Sequence, residues 1–449
     1  MSYLGLDEAS WKLKEKIRKL VKAMHEDYMK AHESSLVELR EKVFREYYSI
    51  SPIPLIEQSK NIIFVDAGFH SVKTSVLHFF TVCFGSVVRT PGKELKYTGQ
   101  LGEYDFPEIV FMYGRWGEKD GKPWFTIRII PLTDSNLLFT SERAERISTR
   151  LTNHVNQRLE VVAGEKSLRK LYDLFSDAME YLEGLLEIAY GLATLKITGD
   201  SILVVDGALS RWFTIKSNIK ILGFDILDVL SIVLDGLYTS DSIQSELERR
   251  VYGLIKRPKL TALARAYSLF RGYGDSQLGL FGYPTRESVE KAVEVINREV
   301  KPRYSKSLLK ETILLFNRNA SPSRDLWITR FPLTTDGDTI LFLEAYTRKP
   351  VIEYNSKQNK ITANGDAAEE VSSRVKVDIG EIMAYRSRIR GLPPYGFMEI
   401  DEKVRIDTQI AHMIEDMIVE VIREEIGREG HPLEQLFGLT RKMRLGYQF

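Results

Sequence analysis

The sequence predicts an α/β protein: a mixed sheet flanked by helices, with a helical arm at the amino end. Two short runs, Ile62 to Val65 and Ile202 to Val205, are wholly apolar and rich in β-branched residues, the pattern of strands buried on both faces. Further strand-like runs follow the first of these and a long helical pattern precedes the second, an order that suits a mixed sheet with helices on its faces. With 449 residues, 43% of them hydrophobic and 10% aromatic, the chain can bury a large core and is neither disordered nor fibrous.

Residues 1–50 are expected to form the arm. From Asp7 to about Tyr48, Trp11, Ile17, Leu20, Val21, Met24, Tyr28, Leu36, Leu39 and Val43 recur at roughly helical spacing among Lys and Glu, and Ser51-Pro52-Ile53-Pro54 stops the helix because proline lacks a backbone donor. Residues 51–449 are expected to form one domain. Ile62 to Val65, Val72 to Val88, Ile109 to Tyr113 and Trp124 to Ile130 read as a meander, interrupted by a glycine- and proline-bearing insertion at about 91–123. Leu168 to Leu195 reads as a helix with Leu171, Leu174, Phe175, Leu182, Leu185, Leu186 and Ile188 on one face, followed by the buried strand at Ile202 to Val205. Beyond it lie a strand at Val251 to Lys256, a helix at Arg286 to Val300, a hairpin-like pair at Thr339 to Tyr346 and Val351 to Tyr354, and a closing helix at Ile406 to Ile426.

Composition narrows the chemistry. Cys83 is the single cysteine, which excludes a disulfide framework and a cysteine-built zinc site and fits a reducing compartment. The first residues lack a signal-peptide pattern and the uncharged stretch Thr74 to Val88 is too short for a membrane span, so a soluble cytoplasmic protein without a membrane partner is expected. The formal net charge of +1 hides local asymmetry. Lys256, Arg257, Lys259, Arg265 and Arg271 come with no acid between them, and Lys301 to Arg330 is also base-rich, whereas Gly223 to Glu248 holds only acids among its charged residues. A neutral chain can thus offer a basic lane to phosphates, with Phe270, Tyr273, Phe281, Tyr283 and Trp327 near it as candidates for stacking on bases.

The most informative feature is a repeated construction, Val65-Asp66-Ala67-Gly68 and Val205-Asp206-Gly207. Each places an aspartate at the carboxyl end of a buried strand, with glycine nearby for a turn or a close approach. A carboxylate there is costly unless it is paired, hydrogen-bonded or bound to metal. Glu187 emerges among Leu185, Leu186, Ile188 and Ala189, one turn after Glu183 on the same helical face. Three converging carboxylates without Cys or clustered His indicate Mg²⁺ or Mn²⁺, and such sites act on phosphate esters. Lys256, ending its strand, is placed to contact phosphate.

This ordered set resembles the NurA nuclease family: Val65-Asp66-Ala67-Gly68, a helix with an embedded Glu, Leu203 to Leu209 around Asp206, a strand ending in Lys256, and Gly391-Leu392-Pro393-Pro394-Tyr395 leading to Asp401. The likeness runs in order from about residue 60 to residue 425. It implies a ribonuclease-H-like core and a manganese-dependent deoxyribonuclease with 5′→3′ exonuclease and single-strand endonuclease activity. It also implies a homodimer and partnership with the HerA-type hexameric translocase in archaeal DNA end resection. By position it makes Asp66, Glu187, Asp206 and Asp401 metal ligands and adds Tyr395 and Lys256 to the catalytic set. Glu183 and Glu399 stand as alternatives to Glu187 and Asp401.

Two other readings compete. Asp66 to Lys73 is similar to the first phosphate loop of actin-like ATPases and sugar kinases, although Asp206-Gly207-Ala208-Leu209 lacks the expected second loop. Alternatively, the long arm and basic stretches would suit a non-catalytic DNA clamp or assembly factor.

Overall fold

Runs of β-branched and aromatic residues build one large sheet, and helices cover both of its faces. The computed structural model describes residues 11, 13–24, 26, 35–73, 77–163, 168–209, 225–271, 273, 279–303, 305–321, 324–335, 339–355, 357–385 and 393–426. Residues 7–10 and 27–34 of the expected arm, with Gly391 and Leu392 of the proline-tyrosine segment, lie outside the described residues. The strands are β1 (Ser49–Pro52), β2 (Asn61–Lys73), β3 (Leu77–Arg89), β4 (Lys96–Tyr97), β5 (Glu108–Lys119), β6 (Lys122–Pro131), β7 (Ser201–Asp206), β8 (Val251–Ile255), β9 (Leu280–Tyr283), β10 (Asn317–Ser321), β11 (Leu326–Thr334), β12 (Ile340–Thr347), β13 (Ile352–Asn355) and β14 (Lys360–Ala363). The helices are α1 (Ser35–Tyr47), α2 (Ser141–Ala163), α3 (Leu168–Thr198), α4 (Ile226–Val233), α5 (Ser240–Arg250), α6 (Leu260–Phe270), α7 (Arg286–Val295), α8 (Lys306–Ile313), α9 (Gly365–Ile382), α10 (Phe397–Val404) and α11 (Thr408–Glu425).

Among the described residues the main sheet runs β1-β9-β11-β12-β8-β7-β2-β3-β5-β6, with β10 beside β11 and β4 beside β3. The expected meander is β2, β3, β5 and β6, each antiparallel to the next. The two apolar runs lie side by side in parallel, with Val65 opposite Val205, and β8 is parallel to β7. This is the mixed sheet with flanking helices that the sequence predicts. One core packs Ile63, Val65, Leu203 and Val205 under α3 residues such as Leu182, Leu186 and Tyr190. The other packs Ile62, Phe64, Ile202 and Val204 with α9 and α10 residues such as Val375, Ile379, Phe397 and Ile400. No described helix is long and apolar enough to cross a membrane.

Several local expectations change. The pair expected at 339–346 and 351–354 is not a hairpin: β12 lies between β11 and β8, and β13 pairs with β14. All eight residues of β12 are buried, and a strand buried throughout needs a neighbour on each edge. One such neighbour, β11, begins in the stretch 301–330 read as a basic lane. The second half of the insertion is itself sheet, since Glu108–Lys119 turns through Asp120 and Gly121 into β6. Helix α1 packs Leu39, Val43, Phe44 and Tyr47 into the second core, and β1 continues from it onto β9, so residue 50 lies within a strand of the sheet.

Candidate metal centre

Asp66 does not end its strand. β2 runs on beyond it to Lys73, but parallel pairing with β7 stops at Val65 and Val205, so Asp66 and Asp206 stand next to each other where the two strands part. β7 turns away at Gly207, whose φ of 88° is the left-handed conformation expected of that glycine and whose N–H donates to the Leu254 carbonyl at 2.8 Å. Gly68, by contrast, makes no turn. A Cβ on it would lie 1.9 Å from the Val404 carbonyl oxygen, and one on Gly85, opposite Asp66 on β3, would lie 2.6 Å from Val404 and 2.8 Å from Ile400. These two glycines let α10 settle onto the sheet, which brings Asp401 down to Asp66.

The result is a carboxylate cluster. Asp66, Asp206 and Asp401 each present an oxygen, and the three atoms lie within 4.8 Å of one another. Asp66 is 8% exposed and takes a hydrogen bond from the Ala67 N–H at 2.8 Å. Glu187, on α3, is wholly buried, and its charge acts on Asp66; Glu183, one turn earlier, is half-buried. Burial first, then the charges of Glu187 and Asp206, push Asp66 up to about 9, against the opposing pull of Lys256 and the Ala67 N–H. Lys256 Nζ lies 2.7 Å from Asp206 Oδ2 and 3.4 Å from Asp401 Oδ1, over the Phe397 ring at 4.6 Å.

Glu399 is turned away from this cluster. Its Oε2 accepts the N–H of Gly396, at φ 101°, and closes the first turn of α10. Tyr395 precedes that turn with its ring half exposed. Its carbonyl accepts from Arg89 Nη1 at 2.9 Å, and its N–H donates to the Tyr385 carbonyl. Arg89, buried in the second core, thereby ties the proline-tyrosine segment to α9, whose Glu381 and Ile382 carbonyls accept from its Nη2. Arg89 carries no signal in the sequence, where it reads as the polar end of a strand. His70, four residues after Asp66, holds Glu415 of α11 at 3.0 Å.

The basic lane is only partly a lane. Arg318 is buried and pushed down to about 10, and burial lowers Arg265 as well. Arg330 pairs with buried Glu344 at 2.5 Å, and Arg330 and Arg265 both lie inward beside Tyr48. Phe270 and Phe281 are core residues, Tyr273 is exposed, and Tyr283 lies beneath the Lys376 ammonium. Asp66 to Lys73 runs as an unbroken strand and so makes no phosphate loop.

An all-oxygen set of mutually repelling carboxylates, partly buried and balanced by Lys256, has the composition of a Mn²⁺ or Mg²⁺ site. No protein-family model matches the sequence, and neither does any curated protein. Among solved structures, the chain is similar to the NurA nuclease from Sulfolobus solfataricus, with 13% identity and a TM-score of 0.41 over 92% of this chain and 98% of that one. It is also similar to a NurA bound to dAMP and manganese, with 13% identity and a TM-score of 0.31 over 90% of this chain and 96% of the other.

Proposed function

We propose that this chain is a metal-dependent deoxyribonuclease. The convergence of Asp66, Asp206 and Asp401 oxygens within 4.8 Å, with Glu187 behind them and Lys256 alongside, supports this reading above all. The ordered sequence resemblance to the NurA family supports the choice of DNA as substrate.

When bound, Mn²⁺ or Mg²⁺ supplies Lewis-acid polarisation of a phosphate oxygen and an acidified water. Asp66, Asp206 and Asp401 would hold the ion, which would offset their mutual repulsion. Glu187, buried on α3, keeps the inner side of the site negative. The Lys256 ammonium, which lies between Asp206 and Asp401, would also face a bound phosphate and stabilise its charge. Tyr395 positions α10 through its backbone. In the fuller form of the proposal the enzyme degrades DNA 5′→3′, cuts single strands, and works with a HerA-type hexameric translocase in end resection.

The test is end-labelled single- and double-stranded DNA incubated with Mn²⁺, Mg²⁺ or EDTA. Cleavage is expected with metal alone. Because metal catalysis supplies several kcal/mol, Asp66→Ala or Asp206→Ala should lower it by about 10³-fold or more. Wild-type cleavage by either variant would overturn the assignment, and metal-independent binding without cleavage would favour the clamp. Failure of the translocase to co-purify or stimulate would remove the partner alone.

A further inference from the structure

At the end of β8 away from the metal centre, a cavity of about 430 Å³ opens between the last turns of α5, the end of β12 with the residues that follow it, and the first half of α9. The five residues of β8 separate Arg249, on its wall, from Lys256 at the carboxylate cluster, a span of about 17 Å at the rise of a strand. The two sites are therefore distinct.

The charges lining the cavity are unequal. Glu248 and Glu370 stand against Arg249, Arg348, Lys349 and Arg374, a surplus of two positive charges. Glu248 is already met, by Arg348 Nε at 2.7 Å and by Gln244 Nε2 at 2.8 Å. Among the described residues Arg249 and Lys349 pair with no carboxylate. Arg374 is fixed from behind: its Nη2 donates to the Tyr346 carbonyl at 2.7 Å, and its guanidinium lies 5.7 Å from the centre of the Tyr252 ring, whose hydroxyl donates to Asp378. Its Nε is buried and has no acceptor. Arg348 and Arg374 are thus each held on one edge with N–H donors to spare, the arrangement by which arginine grips phosphate oxygens in pairs.

We propose that this cavity binds a phosphate monoester of nucleotide size. A phosphomonoester carries close to two negative charges at neutral pH, which matches the surplus. The volume falls in the range of small-molecule sites and is more than a phosphate group alone fills, and Ala367 and Val371 of α9 give the organic part an apolar wall. The adjoining cavity, which shares Arg348 and Lys349, is lined by Asp241 and Asp325 as well as Arg324, so a nucleic-acid strand would bring its next phosphate against two acids. That favours a single ester over a strand. The site does not depend on the nuclease reading and stands or falls apart from it.

Calorimetric titration of the full-length protein with thymidine 5′-monophosphate in EDTA tests it. Saturable binding is expected, with weaker binding of inorganic phosphate and none of thymidine. Arg249→Glu with Lys349→Glu, both on exposed residues, should weaken the nucleotide Kd by about tenfold or more, and Arg374→Lys, which keeps the charge and loses the fork, should weaken it as well. Lys256→Gln should bind as wild type does. No binding, or equal affinity for inorganic phosphate, would overturn the proposal. So would binding that is lost in Lys256→Gln and kept in the Arg249→Glu, Lys349→Glu protein, since the nucleotide would then sit at the metal centre. A single-stranded oligonucleotide that outcompetes the nucleotide in wild type, and no longer does in the Arg249→Glu, Lys349→Glu protein, would overturn it in favour of a strand.

Discussion

Asp66 and Glu381 are both buried acids within the same half of the fold, and their surroundings differ in kind. Glu381 accepts from the Ser59 N–H at 2.9 Å, the Lys60 N–H at 3.2 Å and the Ser59 hydroxyl, so its charge is met by three donors. Asp66 has the Ala67 N–H and faces Glu187 and Asp206, with Lys256 opposing them. A satisfied carboxylate holds a structure together. A group of mutually repelling ones is tolerated only because the rest of the fold holds it in place, and such a group marks where an external cation belongs.

Substitution should separate the two. Glu381→Ala strands two backbone N–H groups and a hydroxyl, and should destabilise the protein by about 4 kcal/mol in denaturant unfolding. Asp66→Asn keeps the shape while removing a carboxyl that burial and its neighbours disfavour, and should make the metal-free protein at least as stable as wild type at neutral pH. Mn²⁺ at a hundred times its Kd should then stabilise wild type by about 2.7 kcal/mol and the Asp66→Asn variant not at all. Equal losses from both substitutions without metal would erase the distinction.

Glu108 sits between the two cases. Its Oε1 accepts from the Leu137 N–H at 2.6 Å and the Tyr190 hydroxyl at 3.3 Å, yet burial outweighs these bonds and pushes it up to about 7. The folded-state value exceeds the unfolded one, so ionisation opposes folding. The penalty is absent below the unfolded value near 4.5, grows as pH rises to about 7, and is constant above. Wild type should therefore lose about 3 kcal/mol relative to Glu108→Gln between pH 4 and pH 8, at 1.36 kcal/mol per pKa unit. Parallel stability curves for the two proteins across that range would show that Glu108 is as well satisfied as Glu381.

How much of this was legible in the sequence follows from which contacts are local. Asp66 and Asp206 stood out because an acid after four apolar residues is a local conflict between burial and charge; that the two runs lie side by side in parallel was not legible, because strand order is set by contacts distant in sequence. Glu187 was legible as an acid on an apolar helix face. Its preference over Glu183 was not, because that depends on how far α3 slides along β2. The arginines showed the limit most clearly: Arg265, Arg318 and Arg330 read as a surface lane, but Glu344 on the neighbouring strand draws Arg330 inward, and strand neighbours 14 residues apart are not visible in a charge count. The false hairpin has the same origin, since β11 begins within the stretch assigned to that lane.

Asp401 is the ligand whose position depends most on distant packing, and Gly68 is where that dependence can be tested. Val404 and Ile406 backbone atoms lie so close to Gly68 that an alanine methyl would stand 1.9 Å from the Val404 oxygen and 3.0 Å from the Ile406 nitrogen. Backbone cannot swing aside as a side-chain tip does, so Gly68→Ala must lift the end of α10, and Asp401, one turn before Val404, is carried with it. The expected cost is about 2 kcal/mol of stability. The more telling readout is metal affinity, which should weaken as Asp401 withdraws while Asp66 and Asp206 stay on their strands. Gly92→Ala is the matched control: Gly92 also resists alanine, by its φ of 66°, but nothing lies within 4 Å of its Cβ position. That change should lower stability by about 1 kcal/mol and leave Mn²⁺ binding at the wild-type midpoint. If Gly68→Ala also titrates with Mn²⁺ as wild type does, Asp401 is not held against Asp66 by this contact, and its place in the metal centre fails with it.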